Sequence, residues 1–287
     1  MFSWEVNAIV FDLTLFATNI PNKTHISPVL APERHRRILQ LVTAQTSVRT
    51  AEVARALNVT EETVRRDFEK LELDGQLTRT HGGALRGEPG RRDLPFTSRE
   101  SMNVAEKRLI AHRALGSIQS GDTILLDASS TALELARLLP DQPLTVLTNA
   151  LKVAIELVDR QEMQVVMIGG TVNSRSLSAG GPLVDSALDF YNIEKAFISC
   201  RGVDPQRGLS ESNDEHARLK RRIIALAERT FLLADHTKLP LRSNFFFAGL
   251  GEIDVLITDS APAAELAAQL ASAGVELQIA DNLRTPE

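Results

Sequence analysis

Two sets of residues in this chain have types and spacings suited to chemistry. The first is Thr60, Thr63, Arg65 and Arg66, with Arg79 and His81 a short way downstream. Guanidinium groups grip phosphate or guanine edges in a bidentate manner, and small hydroxyls sit close to a nucleic-acid backbone. The second set is a series of polar clusters, each placed just after an apolar run. They are Asp127-Ala-Ser-Ser-Thr131, Thr148-Asn149, Gly169-Gly170, the stretch Gly202 to Gly208 with Asp204, and Asp235-His-Thr-Lys238, joined by Lys220. Hydroxyl residues and free backbone amides at a helix start cradle anions. With the carboxylates, amides and lysines beside them, the set suits a polyhydroxylated, negatively charged small molecule.

The elements that must position the first set are helical. Pro32-Glu33 opens a helix with Ile38, Leu39, Leu41 and Val42 apolar, because proline and an acid suit a first turn. A second helix is expected after Thr50, with the Thr50 hydroxyl as its cap and Val53, Ala54 and Leu57 inward. Asn58-Val59 makes a tight turn. Thr60 then caps a third helix, in which Val64, Phe68 and Leu71 recur at i, i+4 and i+7 as the buried stripe, and Gly75 ends it. Thr63, Arg65 and Arg66 fall in the N-terminal half of that helix and off the stripe, the half that meets base edges when such a helix enters a major groove. Leu77 to Ala84 reads as strand, glycine turn and returning strand, a wing carrying Arg79 and His81.

The second set needs a different scaffold. Apolar runs at 123–126, 144–147, 165–168, 196–199, 231–234, 255–258 and 275–279 alternate with helical stretches at 131–139, 150–158, 182–190, 211–228 and 261–271. Continuous apolar strands separated by helices imply a mostly parallel sheet covered on both faces. Ligands of such sheets bind beyond the carboxyl ends of the strands, where the polar clusters lie. The expected class is α/β, with an N-terminal helical winged helix-turn-helix at 31–86, a Gly-, Pro- and Arg-rich linker at 87–100 and a body at 101–287.

Composition limits the alternatives. The chain has 287 residues, 43% hydrophobic and 24% charged, which excludes disordered and fibrous classes. Its net charge of −5 divides unevenly: residues 31–92 hold 12 Lys+Arg against 9 acids, +3, leaving −8 elsewhere. A small basic module on a larger acidic body is a common layout for a DNA reader with a control domain. No uncharged apolar run reaches the roughly 18 residues of a spanning helix. Cys200, the single cysteine, allows no internal disulfide, and a reducing cytoplasm is the expected location. His216 and His236 lack metal-ligand spacing, so neither a metal nor a cofactor is expected, and Cys200 and Arg201 have no role derivable from sequence. Residues 1–30 stand apart. No basic segment precedes Ala8–Phe16, which argues against a signal peptide. Ile9-Val-Phe-Asp12 faintly resembles the nucleophile strand of haloacid-dehalogenase-like phosphatases, but Thr14 stands where their second aspartate belongs. A loosely attached tail is expected there.

The string Thr60-Glu-Glu-Thr-Val-Arg-Arg-Asp-Phe-Glu-Lys-Leu-Glu, followed by Gly75-Gln-Leu-Thr-Arg-Thr-His-Gly-Gly-Ala, resembles the DNA-binding domain of the DeoR family of bacterial transcriptional regulators. Phe68 for the usual leucine is a mild departure. Downstream, Asp127-x-Ser-Ser-Thr, Thr148-Asn, Gly169-Gly, Gly202-Val-Asp-(x3)-Gly-Leu, Glu215 with Lys220, Asp235-x-Thr-Lys and Ile257-Thr-Asp259 resemble, in order, the effector domain of the same family. That domain is similar to the fold of ribose-5-phosphate isomerases and glucosamine-6-phosphate deaminases and senses sugar phosphates. The resemblance implies phosphate at Ser129, Ser130 and Thr131. It implies that Asp127, Asn149, Asp204, Lys220 and Lys238 meet sugar oxygens or order the pocket. Ala128-Ser129 departs from the family, where a glycine is often found. A DNA-binding regulator of sugar metabolism follows, a repressor released by a phosphorylated sugar, with double-stranded operator DNA as partner, no membrane, and a homo-oligomer to engage paired half-sites. The alternative is a sugar-phosphate isomerase or deaminase joined to a DNA-binding module, with Asp204 and Lys220 as acid and base.

Overall fold

Residues 30–73, 76–86 and 93–280 are described by a computed structural model of the chain. The expected tail over most of 1–30, the Gly75 helix stop and the first part of the linker, 87–92, lie outside the described residues.

Three helices and three short strands form the first unit: α1 (Ala31–Gln45), β1 (Ser47–Arg49), α2 (Thr50–Leu57), α3 (Glu61–Leu73), β2 (Leu77–Thr80) and β3 (Gly83–Arg86). Its core takes Ile38 and Val42 from α1, Val53, Ala54 and Leu57 from α2, and Val64, Phe68 and Leu71 from α3, closed by Val48, Leu77 and Ala84 of the strands. The i, i+4, i+7 stripe of α3 is therefore the buried one. Thr50 differs from expectation. It is the first helical residue, its side chain is buried, and it caps nothing; its amide instead donates to Gly82 O at 2.9 Å. β1 was not foreseen: three residues give no readable period, and the strand exists because it pairs antiparallel with β3. The close approach requires glycine at Gly83, where a Cβ would collide with the Val48 carbonyl oxygen.

The second unit begins before its expected boundary. Helix α4 (Phe96–Ser101) falls within the stretch read as linker, yet Phe96 is 1% exposed and belongs to the core beneath the sheet. Then follow α5 (Val104–Leu115), β4 (Thr123–Leu126), α6 (Ser130–Leu138), β5 (Leu144–Thr148), α7 (Leu151–Leu157), β6 (Met163–Met167), β7 (Thr171–Asn173), β8 (Ser178–Gly180), α8 (Pro182–Leu188) and β9 (Ile193–Ile198). The chain continues through β10 (Gly202–Asp204), β11 (Gly208–Glu211), α9 (Asp214–Leu226), β12 (Ala227–Leu233), β13 (Phe245–Ala248), β14 (Val255–Thr258), α10 (Ala264–Ser272) and β15 (Glu276–Ile279).

Seven strands make one sheet in the order β15-β14-β12-β9-β4-β5-β6, with every described pairing parallel. Alternate residues of these strands enter two separate cores. Ile124, Leu126, Val146, Phe197, Phe231 and Ile257 pack with α5, α6 and α7. Leu125, Leu147, Ala196, Ile198, Leu232 and Leu256 pack with α8, α9 and α10. Burial on both faces is why these strands read as unbroken apolar runs. The chain starts the sheet at β4, winds outward to β6, and returns on the other side of β4 as β9. The topological switch point therefore lies between β4 and β9, and the crevice beyond their carboxyl ends is the natural ligand position. Two smaller sheets, β10-β11-β13 and β7-β8, lie apart from the main one. Among the described residues no helix is long and apolar enough to cross a membrane.

Candidate functional site

The first candidate surface is α3. Thr60 accepts the Thr63 amide at 3.2 Å, and the two hydroxyls lie 2.9 Å apart, so the threonines close the helix start. Arg65 and Arg66 point away from the core, with side chains 58% and 78% exposed. Each is paired within the helix, Arg65 to Glu61 at 3.0 Å and Arg66 to Glu62 at 3.3 Å. Such exposed pairs are worth little and yield readily to a stronger anion. The next residue, Asp67, has a different task. It is buried and accepts hydrogen bonds from Arg34, at 2.8 Å for Nη2, and from His35 at 2.9 Å. Burial pushes its carboxyl up, but the bonds from Arg34 and His35 outweigh that and hold it below the usual carboxylate value. Asp67 thus bolts α1 to α3 and sets the angle at which Arg65 and Arg66 are presented. On the wing, Arg79 and His81 are exposed; the Arg79 amide donates to Glu72 at 2.9 Å, which ties the wing to the end of α3.

The second candidate site is the cavity at the switch point, with about 840 Å³ of empty space including its open mouth. Asp127, the first residue after β4, sutures the crevice: one oxygen accepts the Ser129 amide at 3.1 Å, the other the Ser199 amide at 3.0 Å beyond β9. Ser129 caps α6, accepting the Ala132 amide at 3.0 Å. The amides of Ser130 and Thr131 are then first-turn donors of α6, and their hydroxyls, in the cavity wall, make no hydrogen bond among the described residues. Here a helix start, two free hydroxyls and a group of cations converge.

Of the effector residues expected from sequence, Asp127, Ser129, Ser130, Thr131, Asn149, Lys220, Asp235 and Lys238 line this cavity. Four do not. The Thr148 hydroxyl is fully buried, donating to Leu126 O at 2.7 Å and accepting the Ala150 amide at 3.0 Å, so it links β5 to β4. Gly169 and Gly170 lead into β7, and at Gly170 a Cβ would strike the Gly180 carbonyl oxygen. Asp204 closes the β10–β11 turn by accepting the Gln206 and Arg207 amides at 3.1 and 2.8 Å, and it is paired with Arg242.

Lys220 is in the wall, but its charge is occupied. It pairs with Glu211, lies 3.2 Å from Asp127, and donates to Ser199 O at 2.6 Å. Two of its N–H groups are given to protein acceptors, and a second carboxylate stands within ion-pair distance. Burial disfavours the ammonium, yet the Glu211 and Asp127 carboxylates prevail and raise it to about 12. Asp235 accepts Asn103 Nδ2 at 3.1 Å and the Thr237 amide at 3.0 Å, and lies 3.7 Å from Lys238.

The wall also holds residues for which the sequence implied no effector contact: Arg99, Asn103, Lys107, Arg201, Glu211 and His216. Glu211 was read as the start of a helix, but β11 runs on to it and α9 begins only at Asp214. Arg99 and Asn103 flank the end of α4, which has no apolar period long enough to see. Arg201 was visible, since it comes three residues after β9. Burial, foremost, pushes Lys107 down to about 8, with Lys238 acting in the same sense; the lysine donates to Arg99 O and Met102 O. Burial likewise lowers His216. No group of His, Cys, Asp and Glu among the described residues is arranged to hold a metal ion.

Residues 34–89 match the DeoR-like helix-turn-helix domain, and residues 102–260 match the DeoR C terminal sensor domain. The chain belongs to the DeoR family. It is a DNA-binding transcriptional regulator, as are the curated relatives it matches. It is 43% identical to the HTH-type regulator YulB of Bacillus subtilis, itself uncharacterized, over 81% of this chain and 90% of that one. It is 35% identical to the L-fucose operon activator of Haemophilus influenzae, over 79% and 91% of the two chains. It is 32% identical to the transcriptional repressor GlcR of B. subtilis, over 87% and 96%.

Proposed function

We propose that this regulator represses a sugar-metabolism operon and leaves its operator when a phosphorylated sugar fills the switch-point cavity. The observation that carries the reading is the meeting of the α6 start, the free Ser130 and Thr131 hydroxyls and the cations Arg99, Lys107, Arg201 and Lys238 in one cavity. A phosphate monoester is a dianion with strong acceptor oxygens, and helix starts favour such groups. Asn149, Asn103 and the Asp235–Lys238 pair are positioned to meet sugar hydroxyls. In the same reading Thr60, Thr63, Arg65 and Arg66 approach the major groove while Arg79 and His81 meet the backbone, and the protein works in the cytoplasm as a homo-oligomer on paired half-sites. The names of relatives include both an activator and a repressor, so repression rests on the economy of release by ligand.

The wall of the cavity includes Asp93, Leu94, Arg99, Met102 and Asn103, which directly follow the chain leading from the DNA-binding unit. An effector therefore touches the tether itself. Release needs only differential affinity: a ligand bound about 100-fold better by the DNA-incompetent state shifts the balance by about 2.7 kcal/mol. The enzyme alternative is not favoured. Lys220 is raised to about 12, and Arg242 with two amides holds Asp204 low against the effect of burial, so neither is poised for proton transfer near neutrality.

The test is fluorescence anisotropy on DNA flanking the protein's own gene, repeated with a panel of sugar phosphates and the corresponding free sugars. The reading expects saturable, salt-sensitive binding that one phosphorylated sugar reverses and its free sugar does not. Reversal by the free sugar alone would overturn it.

A further inference from the structure

Resting on the phosphorylated-sugar reading above, we propose that Arg201, with Arg99 beside it, is the anchor that grips the effector's phosphate and makes the cavity reject uncharged sugars. Arg201 lies on the loop after β9, one of the two strands that flank the switch point, and that loop is held to the α6 start by the bond from the Ser199 amide to Asp127. Arg99 reaches the same place from α4. It donates to Ala128 O at 3.5 Å and to Leu94 O at 3.3 Å, the former within the loop that opens α6. The phosphate-facing loop and two guanidinium groups therefore share one end of the cavity.

What marks Arg201 is an unmet buried donor. Among the described residues no carboxylate lies within ion-pair distance of either guanidinium, and the buried Nε of Arg201 has no hydrogen-bond partner at all. The carboxylates of the cavity are engaged elsewhere. Asp127 and Glu211 share Lys220, and Asp235 is beside Lys238. Asp93 accepts from Ser212 and Asn213, each at 3.4 Å. Burial is the main influence lowering both guanidinium groups; Glu211 and Asp93 act on both in the opposite sense from beyond ion-pair distance, and Arg99 adds to the lowering at Arg201. Buried polar groups in folded proteins are almost always satisfied, and a buried donor without a partner needs an explanation. A planar donor fork without an acceptor is matched by an oxyanion that arrives from outside. A neutral hydroxyl can accept one hydrogen bond from it but cannot neutralise two adjacent guanidinium charges.

The experiment uses the full chain as wild type, Arg201→Met and Arg201→Lys. Thermal unfolding is followed without ligand and with inorganic phosphate, and binding of the phosphorylated-sugar panel is measured by calorimetry. Methionine keeps the length of the side chain and removes the charge. Arg201→Met is expected to lose tenfold or more in affinity for the effector, with Arg201→Lys between it and wild type. Without ligand Arg201→Met is expected to melt at or above the wild-type temperature, because a half-buried charge without an ion-pair partner is gone. A loss smaller than tenfold overturns the assignment. So does a ligand-free Arg201→Met that melts several degrees lower, since the guanidinium would then be a strut of the fold. If wild type itself responds to no phosphorylated sugar and to no phosphate, the reading of the cavity fails first and the anchor with it.

Discussion

Replacing Lys220 by methionine separates a structural cation from a ligand contact. The lysine side chain is 9% exposed and sits between Asp127 and Glu211, which are 2% and 10% exposed. Its removal leaves two buried carboxylates facing each other with no cation between them. Breaking a buried pair by deleting one partner costs about 3–5 kcal/mol. In a body of this size each kcal/mol moves the melting temperature by roughly 2–4 °C, so a fall of about 10 °C is expected near neutral pH. The pH dependence carries a signature. In wild type, burial works to raise Glu211, but Lys220 outweighs it and holds the carboxyl below its ordinary value. That contribution is present above the unfolded-state pKa and is lost as the solution becomes acidic. In Lys220→Met one carboxyl takes up a proton and its pKa rises above the unfolded value. That contribution is greatest in acid and is lost as pH climbs through the raised pKa. The two melting curves must therefore converge as pH falls. Lys220→Met/Glu211→Gln should recover part of the loss, because it removes one of the facing charges. Calorimetric melting of the three proteins across pH is the assay. A Lys220→Met protein that melts within about 2 °C of wild type, or whose deficit widens in acid, refutes the buried cluster.

Three further outcomes are expected. Arg66→Ala should weaken operator binding about tenfold and lower the salt slope by about one unit, as for loss of one phosphate contact; unchanged anisotropy titrations at several salt concentrations would remove Arg66 from the interface. Gly83→Ala should destabilise the winged unit and weaken DNA binding while effector affinity by calorimetry stays unchanged, because the added Cβ meets the Val48 carbonyl and not the cavity. Effector affinity should pass through a maximum in pH. It rises as the phosphate loses its second proton near about 6, and it declines as Lys107 loses its own near about 8. Lys107→Met should flatten the alkaline limb alone.

The parts of the fold legible in the sequence are those whose pattern repeats. β4 and β14 are continuous apolar runs because both faces are covered, and α3 shows its stripe because Val64, Phe68 and Leu71 all turn inward. Strands β7, β8, β10 and β11 are three or four residues long and rich in glycine and polar side chains, so no period marks them. Their existence depends on partners distant in the chain, as Ser210 in β11 faces Phe246 in β13. The cavity was legible where the rule about strand ends applies: Asp127, Ser130, Thr131 and Lys238 are there. The same rule misplaced Asp204, because a residue that ends a short hairpin strand also follows an apolar run, and its carboxylate serves the turn. Glu211 and Arg99 could not be seen, since only the packing of α9 and α4 against the sheet brings them beside Lys220 and Ala128.

The two units share a common use of buried charge. Asp67 is held by Arg34 and His35 of α1 and Lys220 by Asp127 and Glu211, and each fixes one element against another. These charges are satisfied within the protein and have nothing left for a ligand. Arg65 and Arg66 are held only by weak surface pairs, and among the described residues Arg99 and Arg201 have no carboxylate within ion-pair distance. On the proposed reading these two groups of cations take two anions, a large one at the recognition helix and a small one within the switch-point cavity. On the same reading, drawing Arg99, in the first helix of the second unit, toward a bound phosphate acts on the point where the chain enters that unit. The coupling required, about 2.7 kcal/mol for a hundredfold effect, is within what a few charge-assisted hydrogen bonds can supply differently in two states.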